Sequence, residues 1–185
     1  TDVGNALKDV YDLSSNAMAD VLKYGGYGAT EVAQALKNAA YSLNNGELAD
    51  ALNHAGYGAD ATLAAYKTLG KSTKDAINDI KGTYNKSIND MADLLSSADL
   101  DAQDISKDLK EVYDVGSKTL GNALKKPFDL SKKDMAKVLK AAGFDFKDTA
   151  RFLKNQMGAG FNTTLDALRS AGFGGVRKWL LRNLF

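Results

Sequence analysis

Few side chains in this sequence could carry out acid–base or nucleophilic chemistry. His54 is the single histidine and the chain has no cysteine, so a thiol nucleophile is excluded, and neither a zinc site nor a Ser–His–Asp triad is expected. We expect His54 to be an ordinary surface or partly buried histidine. Carboxylates could act in pairs, as they do in glycosidases, and the candidates are Asp101 with Asp104 and Asp145 with Asp148.

These carboxylate pairs stand where helices are expected to begin, and acidic residues there cap the helix and favour its dipole. Asp99-Leu-Asp101 opens like a calcium loop, but the sequence lacks the glycine and the glutamate that such a loop needs further on. None of the 17 glycines forms a nucleotide-binding G-x-G-x-x-G or Walker motif. The sequence therefore predicts no enzyme, with no catalytic residue, no metal site and no cofactor.

The tail Val176-Arg-Lys-Trp-Leu-Leu-Arg-Asn-Leu-Phe185 combines the only tryptophan with three cations. Basic residues beside Trp, Leu and Phe are typical of a helix that lies on an anionic bilayer. The alternative is a C-terminal helix that closes the core around Trp179. The tail is too short to span a bilayer. The candidate membrane- or partner-binding residues are Lys147, Arg151, Lys154, Arg177, Lys178, Trp179 and Arg182.

A nucleic-acid interface is a further alternative. Counted from Gly143, the residues Thr149 and Phe152 stand at the offsets that the core of a helix-turn-helix uses, and basic side chains lie nearby in the sequence. The same offsets recur from Gly56 to Leu63, in an acidic module. The spacing therefore indicates packing, and nucleic-acid binding through the basic C-terminal third ranks below the other roles.

Short helices must position these residues. One helical face of the stretch 135–146 carries Met135, Ala136, Val138, Leu139 and Ala142. Gly143 then stands at the left-handed C′ position, and Phe144 at C″ can fold back on Leu139. Similar modules recur at spacings of roughly 13–16 residues, which predicts a repeat architecture. The middle modules lack the glycine.

Good N-cap residues precede many modules, and we expect this role for Ser14, Asn44, Asp60, Ser117, Ser131 and Asn162. Ser131 and Asp134 would form a loose capping box. No alternating run of strand length appears, so the sequence predicts an all-α fold of about 11–12 short helices. Helices of about 10 residues need neighbours to hold them. Both a compact helical array and an α-solenoid satisfy that need.

Charge and aromatic residues divide the chain unevenly. The net charge is +1, yet residues 1–120 hold 11 basic and 18 acidic side chains, whereas residues 121–185 hold 13 and 5. Every tyrosine lies at or before Tyr113 and every phenylalanine at or after Phe128. We predict one all-α repeat domain, 1–185, with a soft subdivision near 121–128. The basic, Phe-bearing part is the better candidate for binding an anionic partner.

The repeated phrase Ala-x-x-Leu-Lys-x-Ala-Gly-Tyr/Phe resembles short helical repeats of large secreted bacterial proteins, some of them toxin-like or surface-associated. The resemblance covers most of the chain, from Ala19 to Phe173, and the central copies depart from it by losing the glycine. It implies a secreted protein with a role directed at a membrane or a host. It transfers no functional residue to this sequence.

Together these features predict a non-enzymatic, helical-repeat binding module. Its expected partner is an anionic membrane surface or another protein, and toxin- or bacteriocin-like action is included. The alternative is a structural or scaffold segment of a larger polypeptide, which the repeats and Thr1 in place of methionine favour. The absence of cysteine fits both the cytosol and bacterial secretion, and the resemblance favours secretion.

Overall fold

A computed structural model describes residues 2–38, 41 and 43–185 of the chain. All regular structure in these ranges is helical, which confirms the all-α prediction. The described residues form thirteen helices, one or two more than the sequence predicts. The thirteenth is the basic tail, which forms a short helix of its own.

The chain forms two compact units, Thr1–Ser87 and Ile88–Phe185. Unit 1 contains α1 (Asp2–Tyr11), α2 (Ser15–Tyr24), α3 (Ala29–Asn38), α4 (Asn45–His54), α5 (Ala59–Thr68) and α6 (Thr73–Thr83). Unit 2 contains α7 (Ile88–Ser97), α8 (Ala102–Tyr113), α9 (Ser117–Lys125), α10 (Lys132–Ala141), α11 (Phe146–Met157), α12 (Phe161–Ser170) and α13 (Arg177–Asn183). The change of composition at 121–128 falls inside unit 2, around the end of α9.

Within each unit a helix packs against the next helix and also against the next but one. In unit 1, α2 contacts α3 and α4, and α3 contacts α4 and α5. In unit 2, α8 contacts α9 and α10, and α10 contacts α11 and α12. Within a unit, odd-numbered helices therefore stack on odd-numbered helices and even-numbered helices on even-numbered ones. The structural repeat is thus a pair of helices. This packing supplies the neighbours that such short helices need.

The predicted glycine stop is present at the end of α10. Gly143 has a φ of +81°, and the Phe144 N–H donates to the Leu139 carbonyl at 3.0 Å. This is the six-residue bond of a Schellman motif, which satisfies a carbonyl that the helix end leaves open. Tyr27, Tyr57 and Phe173 close their helices with the equivalent bond.

Aspartate and asparagine take over the left-handed position where the middle modules lose glycine. The residues concerned are Asn85, Asp99, Asp114 and Asp129, all with φ between 46° and 56°. Asp and Asn adopt this conformation more readily than other L-residues. The middle modules therefore keep the helix stop and change only the residue that makes it.

Three of the predicted N-caps are confirmed and three are wrong. The side chains of Ser14, Asn44 and Ser131 each accept a hydrogen bond from a backbone N–H in the first turn. Asp60, Ser117 and Asn162 instead lie inside their helices, because Gly58, Gly116 and Gly160 occupy the cap position. Glycine is also an acceptable N-cap residue, but it has no side-chain acceptor that a sequence pattern could reveal.

The capping box is formed at Asn44 and not at Ser131. The Asn44 Oδ1 accepts from the Glu47 N–H at 3.0 Å, and the Glu47 carboxylate accepts from the Asn44 N–H at 2.8 Å. At Ser131 the hydroxyl accepts from the Asp134 N–H but donates to the Asp134 carboxylate at 2.6 Å. The aspartate side chain is one methylene shorter than glutamate, and it contacts the hydroxyl instead of the cap N–H.

Lysines link helices that are next but one in sequence. The Lys140 Nζ donates to the Ala171 carbonyl at 2.7 Å and lies 5.2 Å from the centre of the Phe173 ring. An ammonium there meets both the negative end of a helix and the face of an aromatic ring. We call this arrangement a lysine bridge, and it recurs at Lys23, Lys110 and Lys154.

Tyrosine in unit 1 adds a hydrogen bond that phenylalanine could not make. The Tyr41 hydroxyl donates to the Leu13 carbonyl at 2.7 Å, and the Tyr84 hydroxyl donates to the Tyr57 carbonyl at 3.1 Å. The Tyr57 hydroxyl in turn donates to the Tyr27 carbonyl. These bonds join the stops of alternate helices, so these three tyrosines have a structural use beyond apolar packing.

Candidate functional site

Trp179 of α13 packs against α11. Its ring meets Phe146 edge to face, with the ring centres 5.4 Å apart and an interplanar angle of 90°. The Arg151 guanidinium lies 5.8 Å from the centre of the Trp179 ring and is 3.5 Å from the Asp148 carboxylate. Trp179 is half-buried. Two of the candidate binding residues, Trp179 and Arg151, are thus used in part for packing.

Lys154 holds the end of the chain. Its ammonium donates to the Leu184 carbonyl and lies 4.8 Å from the centre of the Phe185 ring. Phe185 also meets Phe161 edge to face, with the ring centres 5.8 Å apart. Lys154 therefore acts as a lysine bridge from α11 to α13, which fixes the position of the tail.

The solvent face of α13 mixes cations with large apolar side chains. Lys178, Leu181 and Arg182 follow the i, i+3, i+4 spacing of one helical face. Phe185 lies just beyond the end of the helix, and its partly exposed ring extends this surface. Leu181 is 56% exposed and Phe185 is 46% exposed, and in the described chain they are the exposed large apolar residues of unit 2. We call these four residues the α13 face.

The opposite side of α13 anchors it to unit 2. Val176 is 2% exposed and Leu180 is fully buried, and α13 packs against α12. The α13 face is therefore presented by a helix whose apolar side already has its contacts.

A cleft of about 310 Å³ lies beside α12 and α13. Its basic lining residues are Arg169 of α12 and Arg177 and Lys178 of α13, and all three are exposed. The remaining lining residues are Phe173, Gly174, Gly175 and Val176. No acidic residue lines this cleft. We call it the α12–α13 cleft.

The structure brings most of the predicted candidate residues to one end of unit 2. Lys178 and Arg182 lie on the α13 face, and Arg177 lines the cleft. Lys147 is exposed in the first turn of α11, where its N–H donates to Asp145. The sequence interpretation missed Arg169, Leu181 and Phe185. The module could have indicated Arg169, because it follows Leu168 as Lys140 follows Leu139.

No protein-family model, curated protein or solved structure matches this chain. Within the described ranges, no helix is long and apolar enough to cross a membrane.

His54, Asp101 and Asp145 have structural partners. His54 Nε2 lies 3.2 Å from the Asp20 carboxylate, and both side chains are about half exposed. Asp101 and Asp145 cap α8 and α11 by accepting backbone N–H groups. The described residues contain no group of three or more His, Cys, Asp or Glu side chains that could hold a metal ion.

Among the described side chains of unit 1, Asp79 has a buried carboxyl group. Asp79 is 8% exposed and accepts a hydrogen bond from Tyr66, which is fully buried. Burial raises the pKa of Asp79, and the Tyr66 bond and nearby Lys71 only partly offset that effect. Its Oδ2 atom has no hydrogen-bond partner in the described structure. This carboxyl group therefore makes the stability of unit 1 depend on pH.

Proposed function

We propose that this chain is a non-enzymatic binding module that attaches to the surface of anionic membranes through the α13 face. The observation that carries the proposal is the alternation of Lys178 and Arg182 with exposed Leu181 and Phe185. Peripheral helices bind bilayers in this way, with cations at the headgroups and apolar side chains at the acyl boundary. The resemblance to repeats of secreted bacterial proteins supports a secreted, toxin-like setting.

Electrostatic and apolar contributions would add at this face. A cation held near an anionic bilayer favours binding by a factor of about five. Leu181 and Phe185 would lose their remaining contact with water by entering the interfacial layer. Since Val176 and Leu180 keep α13 packed on unit 2, the helix can bind without leaving its place.

Single substitutions separate the two contributions. We expect Arg182→Gln to weaken co-sedimentation with phosphatidylglycerol vesicles about fivefold, and mostly at low salt. Leu181→Ser should weaken it at both low and high salt, because the apolar contribution is not screened. The matched controls are Lys133→Gln, an exposed lysine of α10, and Val21→Ser, a 43% exposed valine of α2.

The controls decide whether the α13 face is the binding surface. If Lys133→Gln and Val21→Ser reduce vesicle binding as much as the two α13 substitutions do, attachment is not localised at α13 and the proposal fails. Circular dichroism of each variant verifies that the helices are retained.

A further inference from the structure

We propose that the α12–α13 cleft binds a phosphomonoester group. Arg169, Arg177 and Lys178 line it, from two different helices. The inference rests on the proposed function insofar as a lipid headgroup is one source of this group, and a soluble phosphate ester is the other. It assigns a ligand class to a cleft that adjoins the α13 face.

The charge of the cleft is not compensated by the protein. No acidic side chain lines it, and within the described residues Arg169, Arg177 and Lys178 take part in no ion pair. Arg151 and Lys137, by contrast, each pair with an aspartate on their own helix. The cleft is therefore a place where positive charge remains available to an anion.

Arg169 differs from its counterparts in the other modules. Lys110, Lys140 and Lys154 stand at the equivalent position, and each directs its charge to a carbonyl at the end of a later helix. Arg169 instead lines the cleft. Arginine also replaces lysine here, and its planar fork binds two phosphate oxygens at once, which an ammonium cannot do.

The number of cations favours a monoester over a diester. A phosphomonoester carries a charge of about −1.5 to −2 at neutral pH and three terminal oxygens. Three cationic side chains can match that charge, and two guanidinium groups can engage several oxygens. A phosphodiester offers a single charge and fewer free oxygens. Phe173, which is half-buried, gives the cleft an apolar wall against which the organic part of the ligand can pack.

The test uses the full chain with two probes. Vesicles of phosphatidylcholine with phosphatidic acid, a monoester lipid, are compared with vesicles containing phosphatidylglycerol, a diester lipid, after both are adjusted to the same zeta potential. Glycerol 3-phosphate is titrated separately and followed by NMR. The variant is Arg169→Gln with Arg177→Gln. The control, Lys132→Gln with Lys133→Gln, removes the same charge from α10.

We expect the native chain to bind phosphatidic acid vesicles about tenfold more tightly than phosphatidylglycerol vesicles, a difference that the cleft variant loses and the α10 control keeps. Saturable, cleft-dependent binding of glycerol 3-phosphate supports the proposal with a soluble ligand as the source. Equal binding to both vesicle types, with no cleft-dependent titration of glycerol 3-phosphate, overturns it. If the chain binds neither vesicle type, the membrane proposal fails, and the titration alone decides the fate of the cleft proposal.

Discussion

The Lys140 ammonium and the Ala171 carbonyl are joined by a hydrogen bond of 2.7 Å, across a sequence separation of 31 residues. The bond connects the last turn of α10 to the C-terminus of α12, and the Phe173 ring lies beneath the same ammonium. A helix end leaves its last carbonyls without intrahelical partners. The lysine therefore satisfies one helix while belonging to another, and this couples alternate helices within the unit.

Removal of this lysine bridge should destabilise unit 2. We expect Lys140→Met to lower the free energy of unfolding by about 1 kcal/mol, because it removes a charge-assisted hydrogen bond and a cation–π contact. The expected loss is modest because water partly screens both interactions. Lys133→Met, on an exposed position of the same helix, should change it by much less. Urea unfolding followed by circular dichroism measures both, and equal effects would show that the bridge contributes nothing.

Gly121, in the interior of α9, and Gly82, in the last turn of α6, should respond to alanine in opposite directions. A Cβ at Gly121 would lie 2.4 Å from the ring of Phe152, which is buried at 3% exposure. A Cβ at Gly82 would meet nothing within 4 Å. Gly121→Ala should therefore cost about 1–3 kcal/mol through overpacking, whereas Gly82→Ala should stabilise by about 0.5–1 kcal/mol through helix propensity.

Thermal unfolding of the two glycine variants gives the comparison directly. The account of Gly121 predicts that Phe152→Leu added to Gly121→Ala recovers part of the loss, because the shorter side chain leaves room for the methyl group. A stabilised Gly121→Ala would contradict the close approach of α9 and α11.

At helix stops with a positive φ, replacement of glycine by another residue should lower stability. Gly158 has a φ of +60° and open space around an added Cβ, so Gly158→Ala should cost about 1 kcal/mol through the backbone alone. Gly174→Ala, also in open space but at a φ outside the positive range, should change stability by less than about 0.5 kcal/mol. Asp114→Gly should be stabilising, since Asp114 has a φ of 49°. Chemical denaturation of the three variants would contradict this account if Gly158→Ala proved as mild as Gly174→Ala.

The stability of unit 1 should depend on the charge of Asp79. Burial raises the folded-state pKa of Asp79 above the unfolded value near 3.8, so the proton binds the folded chain more tightly. The stabilisation from the neutral carboxyl is complete below the unfolded pKa and is lost as pH rises through the folded pKa. Tyr66 and Lys71 lower the Asp79 pKa and Asp75 raises it, but burial is the largest contribution.

Asp79→Asn should therefore be more stable than the native chain at neutral pH, by about 1 kcal/mol, because it removes a buried charge and keeps an acceptor for Tyr66. The difference between variant and native chain should grow as pH rises from about 4. Urea midpoints across this range measure it. A difference that shrinks with rising pH would mean that the ionised carboxylate is stabilised in the fold.

The helices and their stops were predictable because their signals are local. Gly143 predicts a left-handed stop, which is confirmed, and the structure adds a closing backbone bond from Phe144 to Leu139. Asp also tolerates a positive φ, but less readily than glycine, so the sequence carries a weaker signal for the stop at Asp114. The cap at Gly58 was missed because glycine carries no side-chain acceptor to signal it.

Contacts between next-but-one helices were beyond the reach of the sequence pattern. Lys140 recurs with the module, but its repetition alone does not say that it meets Ala171 or Phe173, because that depends on how alternate helices stack. The same holds for the α13 face. Its cations were identified from composition, whereas the exposure of Leu181 and Phe185 follows only once Val176 and Leu180 are known to be buried.

Membrane attachment through the α13 face is the central claim, and co-sedimentation of the native chain with vesicles tests it most directly. Phosphatidylcholine vesicles with and without phosphatidylglycerol are compared at low and high salt. We predict that binding to the anionic vesicles weakens as salt rises, and that a salt-independent part remains because of the apolar side chains of Leu181 and Phe185. Binding to neutral vesicles should be weak. Failure of the native chain to bind either kind of vesicle would contradict the claim of membrane attachment.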